Sequence, residues 1–408
     1  MGNMKTVTLF LSLISSTFTL VGAQAQEPTT WFEKYGPQLD LSYTGPLSFA
    51  HLPYRLCLQE NATFDVAILG MPFDTAVSYR PGARFGPSAI RSGSRRQSDV
   101  LAYSLSWGFN PYTQGYSILD CGDVPVNSFD NTLALDQMEV AYSTLLRRPI
   151  AREDTLAGPL KGKDGLVHPR VVSLGGDHTI VLPILRSLYK VYGPITVIHF
   201  DAHLPMKPGL HAARQDTWPT LQLSGIDTEQ SRITHGSFFY VAHEEGLLAN
   251  NSIHGGIRTP LSGPEDLAND SVVGFQVITS DDIDSLGIPE IVRKMRARVG
   301  DSPVYLRQVV TCIVQAGTPE AGGWTTREFK RILRGLKGLN FIGADLVEVS
   351  PAYDQGLLSA FFNVCMSDLL VFYIACTPES QFPRLYPERA DLDPTVPWLL
   401  VHYMELNG

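Results

Sequence analysis

The chain has 408 residues, of which 44% are hydrophobic and 18% charged, and its formal net charge is −9. That balance supplies apolar material for a large core and excludes a disordered or fibrous chain. The acidic excess argues against nucleic acid and anionic membranes as main partners and suits a small cationic ligand.

At the N-terminus, Lys5 precedes an uncharged apolar stretch, Val7 to Val21, followed by Ala23-Gln24-Ala25. This is the pattern of a secretory signal peptide over residues 1–25, so the mature chain is expected to begin near Gln26, outside the cell and free of the membrane. Sequons at Asn61, Asn250 and Asn269 fit secretion. The cysteines Cys57, Cys121, Cys312, Cys365 and Cys376 are few, odd in number and irregularly spaced. They imply no disulfide framework or zinc knuckle; most read as core residues, with room for one disulfide of unassigned pairing.

Residues 26–63, rich in Pro, Tyr and Thr, read as an N-terminal extension wrapping a main domain over 64–408. In that domain, apolar runs at Val66–Leu69, Val171–Leu174, Ile195–Phe200, Phe238–Ala242, Phe275–Ile278, Val304–Leu306 and Asn340–Val347 alternate with helical patterns. The helical patterns include Asp136–Arg147, Ile180–Tyr192 and Thr326–Leu336. Strands alternating with helices predict an α/β fold, a three-layer α/β/α sandwich around a mostly parallel sheet. Ligands of such sheets sit beyond the carboxyl ends of the strands. A further apolar run, Leu357–Cys376, carries Asp368 in its middle, which a membrane span would tolerate only at high cost, so it reads as a buried element.

Two segments place metal-ligand residue types directly after strands. Gly175-Gly176-Asp177-His178 follows Val171–Leu174, its glycines permitting a tight turn that delivers His178. In Ile198-His199-Phe200-Asp201-Ala202-His203, alternation puts Asp201 and His203 on one side. Imidazole mixed with carboxylate suits Mn, Fe, Ni or Zn without choosing among them.

These motifs resemble the first two metal motifs of the arginase/agmatinase ureohydrolases. Gly70-Met71-Pro72-Phe73-Asp74, continuing from Tyr79-Arg80-Pro81-Gly82 to Ile90-Arg91, is similar to the agmatinase branch, and Ile118–Val124 to the family's next strand. His235-Gly236-Ser237, Glu244-Glu245-Gly246-Leu247, Gly255-Gly256-Ile257-Arg258, Gly317-Thr318-Pro319-Glu320 and Val347-Glu348-Val349-Ser350-Pro351 continue the resemblance in order, over about residues 40–354. The resemblance implies two manganese ions that activate water for attack on a guanidinium carbon, releasing urea and an amine. Residue by residue, it implies His178 on one metal, His203 on the other, Asp201 bridging, His235 as a proton-shuttling or substrate-contacting histidine, and Glu348 orienting the guanidinium. It further implies a small guanidino substrate and a homo-oligomer.

The chain also departs from the family. The second motif should continue Asp-Ala-His-x-Asp, but His203-Leu204 runs into Pro205, and Asp216-Thr217-Trp218 resumes the family text. Pro205–Gln215 thus reads as an insertion, with Asp216 the candidate to loop back as a ligand. After Val304-Tyr305-Leu306 the family has Ser-x-Asp-x-Asp; here Arg307–Gln315 contains no carboxylate. Ser280-Asp281-Asp282-Ile283-Asp284 reads as an acidic helix start rather than a substitute. Intact family text on both sides of each departure is what retained intron sequence would leave. The expectation is an agmatinase-like enzyme by descent that holds one manganese ion or fewer tightly. The rival is a non-catalytic protein that keeps the fold and its pocket.

Overall fold

The computed structural model describes residues 30–36, 38, 47–95, 97, 102–152, 160–205, 232–261, 263–309, 318 and 320–353. Asp216, the signal-like N-terminus, the Leu357–Cys376 run and most of Arg307–Gln315 lie outside them.

Eight strands form one sheet: β1 (Val66–Met71), β2 (Ile118–Asp123), β3 (Arg170–Gly175), β4 (Thr196–Phe200), β5 (Ser252–Ile257), β6 (Phe275–Thr279), β7 (Val304–Val309) and β8 (Phe341–Val347). Their order is β2-β1-β3-β8-β7-β4-β5-β6, and every pairing is parallel. The expected α/β sandwich is present. Strands buried on both faces read as continuous apolar runs, which is why most of them were visible in the sequence.

The helices are α1 (Trp31–Tyr35), α2 (Gly86–Ser94), α3 (Asn131–Leu146), α4 (Val181–Tyr192), α5 (Phe238–Glu244), α6 (Pro264–Val273), α7 (Asp282–Val299) and α8 (Thr326–Gly335). Strand alternation sorts the core into two layers. Val66, Ile68, Ile198 and Phe200 face Ile90 of α2, Ile291 and Met295 of α7, and Phe329 and Leu333 of α8. Ala67, Leu69, Val171 and Val197 face Met138 of α3, Leu185 of α4, and Phe238 and Phe239 of α5. Local signals set the helix ends. The Asp130 carboxylate caps α3 by accepting from Leu133 N at 3.0 Å, and Thr325 and Glu328 cap α8 reciprocally. The acidic start of α7 is as expected, with Asp282 and Asp284 in its first turn.

One expected strand is corrected: Phe238–Ala242 lies in helix α5. A short continuous apolar run has no period that separates a buried strand from a buried helical turn, and here Phe238, Phe239, Val241 and Ala242 are all buried against the sheet. Strand β5 shows no apolar run because His254, Gly255 and Gly256 fill its middle.

Before β1, Trp31 of α1 is buried and its backbone N–H donates to Thr144 Oγ1 of α3 at 3.0 Å. Cys57 and Cys121 form a disulfide tying the segment before β1 to β2. The Gly82–Arg91 motif is structural. Asp74 accepts from Gly82 N and Arg84, while Arg91 of α2 is buried and donates to both Asp120 and Asp123. Among the described residues no helix is long and apolar enough to cross a membrane.

Candidate metal and substrate site

The four central strands, β3, β8, β7 and β4, deliver the site from their carboxyl ends. After β3 the chain turns at Gly176, whose N–H donates to Met71 O and whose carbonyl accepts from Glu348 N at 2.9 Å. His178 then opens a 3₁₀ turn, and its N–H donates to Glu348 Oε1 at 3.1 Å. Glu348, just past β8, adopts φ +64°, a left-handed conformation that a side-chained residue holds only against a cost of about 1–3 kcal/mol. It is buried and gripped by the β3 turn through both its backbone and its carboxylate.

Asp201 follows β4. Its Oδ1 accepts from Ala202 N at 2.6 Å and His203 N at 3.2 Å, with His203 Nδ1 at 3.3 Å. The Asp201–His203 contact is therefore made by a tight bend after β4, which ends at Phe200, rather than by alternation along a strand. Asp201 Oδ2 faces inward, 3.5 Å from His178 Nε2 and 3.3 Å from His199 Nε2. One ligand atom from each of His178, His199 and Asp201 lies within 4.8 Å of the others. His203 Nε2 stands 3.8 Å from Glu320 Oε1, on a segment that Arg258 pins by donating to Glu320 O and Ala321 O. His235 Nδ1 lies 4.0 Å from Glu348 Oε1; its Nε2 accepts from Ser78 N at 3.1 Å, which leaves the neutral ring's hydrogen on Nδ1.

The sequence expectations for His178, Asp201, His203, His235 and Glu348 thus converge on one place. His199, His254, Glu320 and Arg307 have no assigned role in the sequence reading, although the first three stand in or beside its motifs. Arg307 is the consequential one. It lies in β7, fully buried, with Nη2 3.0 Å from His178 Nδ1 and 2.9 Å from His178 O, its guanidinium 4.5 Å over the Phe238 ring.

Charge follows from burial and neighbours. Burial holds the His178 imidazole well below its usual range, against Asp201, and the Arg307 charge adds to the effect. Asp201 is held ionised despite burial by His178 and the hydrogen bonds of His199 and His203. Burial pushes the Glu348 carboxyl well above the usual range, Asp177 adding to it, and lowers His235 to about 4. Burial opposes the protonation of His203, but Asp201 and Glu320 outweigh it and raise that ring. A buried ionised carboxylate flanked by neutral imidazoles is a donor set that fits one divalent cation. Among the described residues there is no second such set. The place for the second pair of carboxylates, as far as it is described, holds Arg307, a permanent cation that bonds His178.

A profile of the Arginase family matches residues 64–368. The chain is 47% identical over 325 residues to a Schizosaccharomyces pombe protein named "Putative agmatinase 1", covering 78% of this chain and 79% of that one. It is 32% identical to the agmatinase of Chromobacterium violaceum, covering 80% and 88% of the two chains. Among solved structures it superposes on the proclavaminate amidino hydrolase of Streptomyces clavuligerus with a TM-score of 0.65 at 29% identity, covering 82% of this chain and 99% of that one. With a match that spans most of the chain and the described strand-end site, this protein belongs to the arginase family.

Proposed function

We propose that the protein is an agmatinase-like ureohydrolase. In this reading it hydrolyses a small linear guanidino compound, agmatine, to urea and an amine, with manganese held by His178, Asp201 and His203. The observation that carries this is the convergence of those three residues, at the ends of β3 and β4, with Glu348 at the end of β8 and His235 just before α5. A divalent cation there would act as a Lewis acid and lower the pKa of water.

The chain's own residues receive the substrate. Burial raises the pKa of Glu348 well above the usual carboxylate range. An arriving guanidinium supplies the charge that ionises it, after which its two oxygens can accept paired N–H groups. His235, neutral and fixed by Ser78, presents Nδ1–H to the same space.

A second reading has its own observation. Arg307 places a guanidinium beside His178, which favours a non-catalytic protein that retains the pocket. Urea release from agmatine, with and without added Mn²⁺, separates the two. The enzyme reading expects manganese-dependent release that falls at least about 100-fold in Glu348→Gln. Saturable agmatine binding with no urea would instead establish the binding protein.

We also place the mature chain outside the cell. The signal-like first 25 residues and the Cys57–Cys121 disulfide support this. Homo-oligomerisation is proposed on the family resemblance alone.

A further inference from the structure

Of the sequons in the chain, the fold singles out Asn61-Ala62-Thr63. Asn61 and Thr63 are both exposed, and residues 61–64 belong to no helix or strand. The segment is nevertheless held in place. Leu56 O accepts from Gln59 N and Glu60 N, each at 3.0 Å, and Ala62 N donates to Glu60 O at 2.9 Å. Phe64 is fully buried and donates its backbone N–H to Pro149 O at 3.3 Å. Shortly before Asn61 stands Cys57, disulfide-bonded to Cys121. An exposed, irregular loop on a rigid base is where a bulky surface modification costs the fold least.

Arg148, just after α3, orients the asparagine side chain itself. Its Nη1 donates to Asn61 Oδ1 at 3.1 Å and its Nη2 to Cys57 O at 2.8 Å. A guanidinium only donates, so the amide oxygen must face Arg148 and the amide nitrogen must point away from it. Among the described residues Nδ2 has no partner. A sugar attached at Nδ2 leaves Oδ1 in place, so the bond to Arg148 survives the attachment. The other two sequons are set differently. Asn250-Asn251-Ser252 ends on a serine that is fully buried in β5 and accepts from Val197 N at 3.0 Å. In Asn269-Asp270-Ser271 the asparagine is half-buried within α6, next to the buried Asp270.

We propose that Asn61 carries an N-linked oligosaccharide. The donor is a lipid-pyrophosphate-linked oligosaccharide of the secretory pathway. Asn61 Nδ2 gives up one hydrogen as a proton and bonds to the anomeric carbon of the first N-acetylglucosamine. The bond from that carbon to the pyrophosphate oxygen breaks, and the lipid pyrophosphate leaves with the electron pair. The amide stays neutral, and nothing is oxidised or reduced. The Cys57–Cys121 disulfide fits an oxidising compartment of that kind independently of the sequon. Asn61 stands before the amino end of β1 (Val66–Met71), whereas the cation site lies beyond the carboxyl ends of the strands, about 20 Å of strand away. The glycan therefore occupies the opposite end of the sheet from the site.

The proposal rests on the extracellular reading for its route into the secretory pathway, so the test has two arms. The full chain is expressed in a eukaryotic secreting host, once with its own residues 1–25 and once with these replaced by the host's leader. Protein from the medium and the secretory compartments is treated with peptide N-glycosidase in H₂¹⁸O and digested. Mass spectrometry of the peptide containing Asn61 should then show ¹⁸O-labelled aspartate at that position. Thr63→Ala, which leaves Asn61 in place but removes the sequon hydroxyl, should abolish the label, and Thr63→Ser should retain it. Unmodified Asn61 in wild type carried by the host leader overturns the proposal, as does a label that survives Thr63→Ala. If the chain with its own first 25 residues stays in the cytosol, the extracellular reading fails, while the arm with the host leader still decides the site.

Discussion

Asp345 shows how one buried polar residue carries a measurable cost. It is fully buried in β8, with Oδ2 4.0 Å from Arg307 Nη1. Burial raises its carboxyl from 3.8 to about 6, and the Arg307 charge, pulling the other way, does not win. A folded-state value above the unfolded one means that its contribution to stability is fully present below pH about 4 and lost as pH rises through about 6. The gap of about two units amounts to roughly 3 kcal/mol. Asp345→Asn should abolish this loss, so its stability relative to wild type should climb by up to about 3 kcal/mol between pH 4 and 6.5, then level off. Urea unfolding of metal-free protein across that range checks it; a difference that stays flat with pH would refute the assignment. Residues of this kind were hard to read in the sequence. His178 and Asp201 declare themselves because they follow apolar runs next to glycines or a second ligand type. His199, His254 and Asp345 sit inside strands, where a polar residue reads as an isolated core exception until register shows what stands beside it. Glu348 and His235 were legible only through the family resemblance, since a carboxylate or imidazole after an apolar run is common.

At the scale of elements, the turn after β3 is what joins the sheet to the site. A Cβ built on Gly176 would lie 1.8 Å from Phe73 O and 2.6 Å from Phe73 N, backbone atoms that cannot swing aside. The same turn is held by Gly176 N to Met71 O at 3.0 Å, Asp177 N to Phe73 O at 2.8 Å and Glu348 N to Gly176 O. Gly176→Ala must therefore part the ends of β1, β3 and β8 together, moving both His178 and Glu348. It should cost about 3 kcal/mol or more, the upper range for overpacking. The expected signs are a clearly lowered thermal midpoint and a large loss of Mn²⁺ affinity; a variant that melts with wild type would show that the turn can relax. The glycines were visible in the sequence as a turn. The sequence did not show that the constraint is close backbone approach rather than a left-handed φ, because that depends on where β1 ends relative to β3. The reading of Phe238–Ala242 as a strand failed for a related reason: a five-residue apolar run shows that something is buried, not which geometry buries it.

For the whole molecule, the question is how many cations it holds, and two separated stretches decide it. Among the described residues the close donor group is His178, His199 and Asp201, enough for one ion, with His203 Nδ1 on the other Asp201 oxygen. A second ion would have to sit near Arg307, whose guanidinium is 3.0 Å from His178 Nδ1. At such distances, even with an effective dielectric of 20, two unit positive charges repel by about 4 kcal/mol, and a divalent ion by more. The chain as it stands should therefore retain no more than one Mn²⁺ after dialysis, by elemental analysis. Deleting Pro205–Gln215, which rejoins His203-Leu204 to Asp216, repairs at most one ligand and leaves Arg307 in place. That form should gain affinity for its single ion and remain a poor catalyst. Replacing Arg307–Gln315 as well with the Ser-x-Asp-x-Asp text of the family removes the buried cation and adds carboxylates in one step. The doubly altered chain should then hold two ions and release urea from agmatine far faster, with His235 and Glu348 already in position. If the unaltered chain retains two tightly bound manganese ions per molecule, Arg307 does not exclude the second metal. The missing carboxylates must in that case come from residues outside those described.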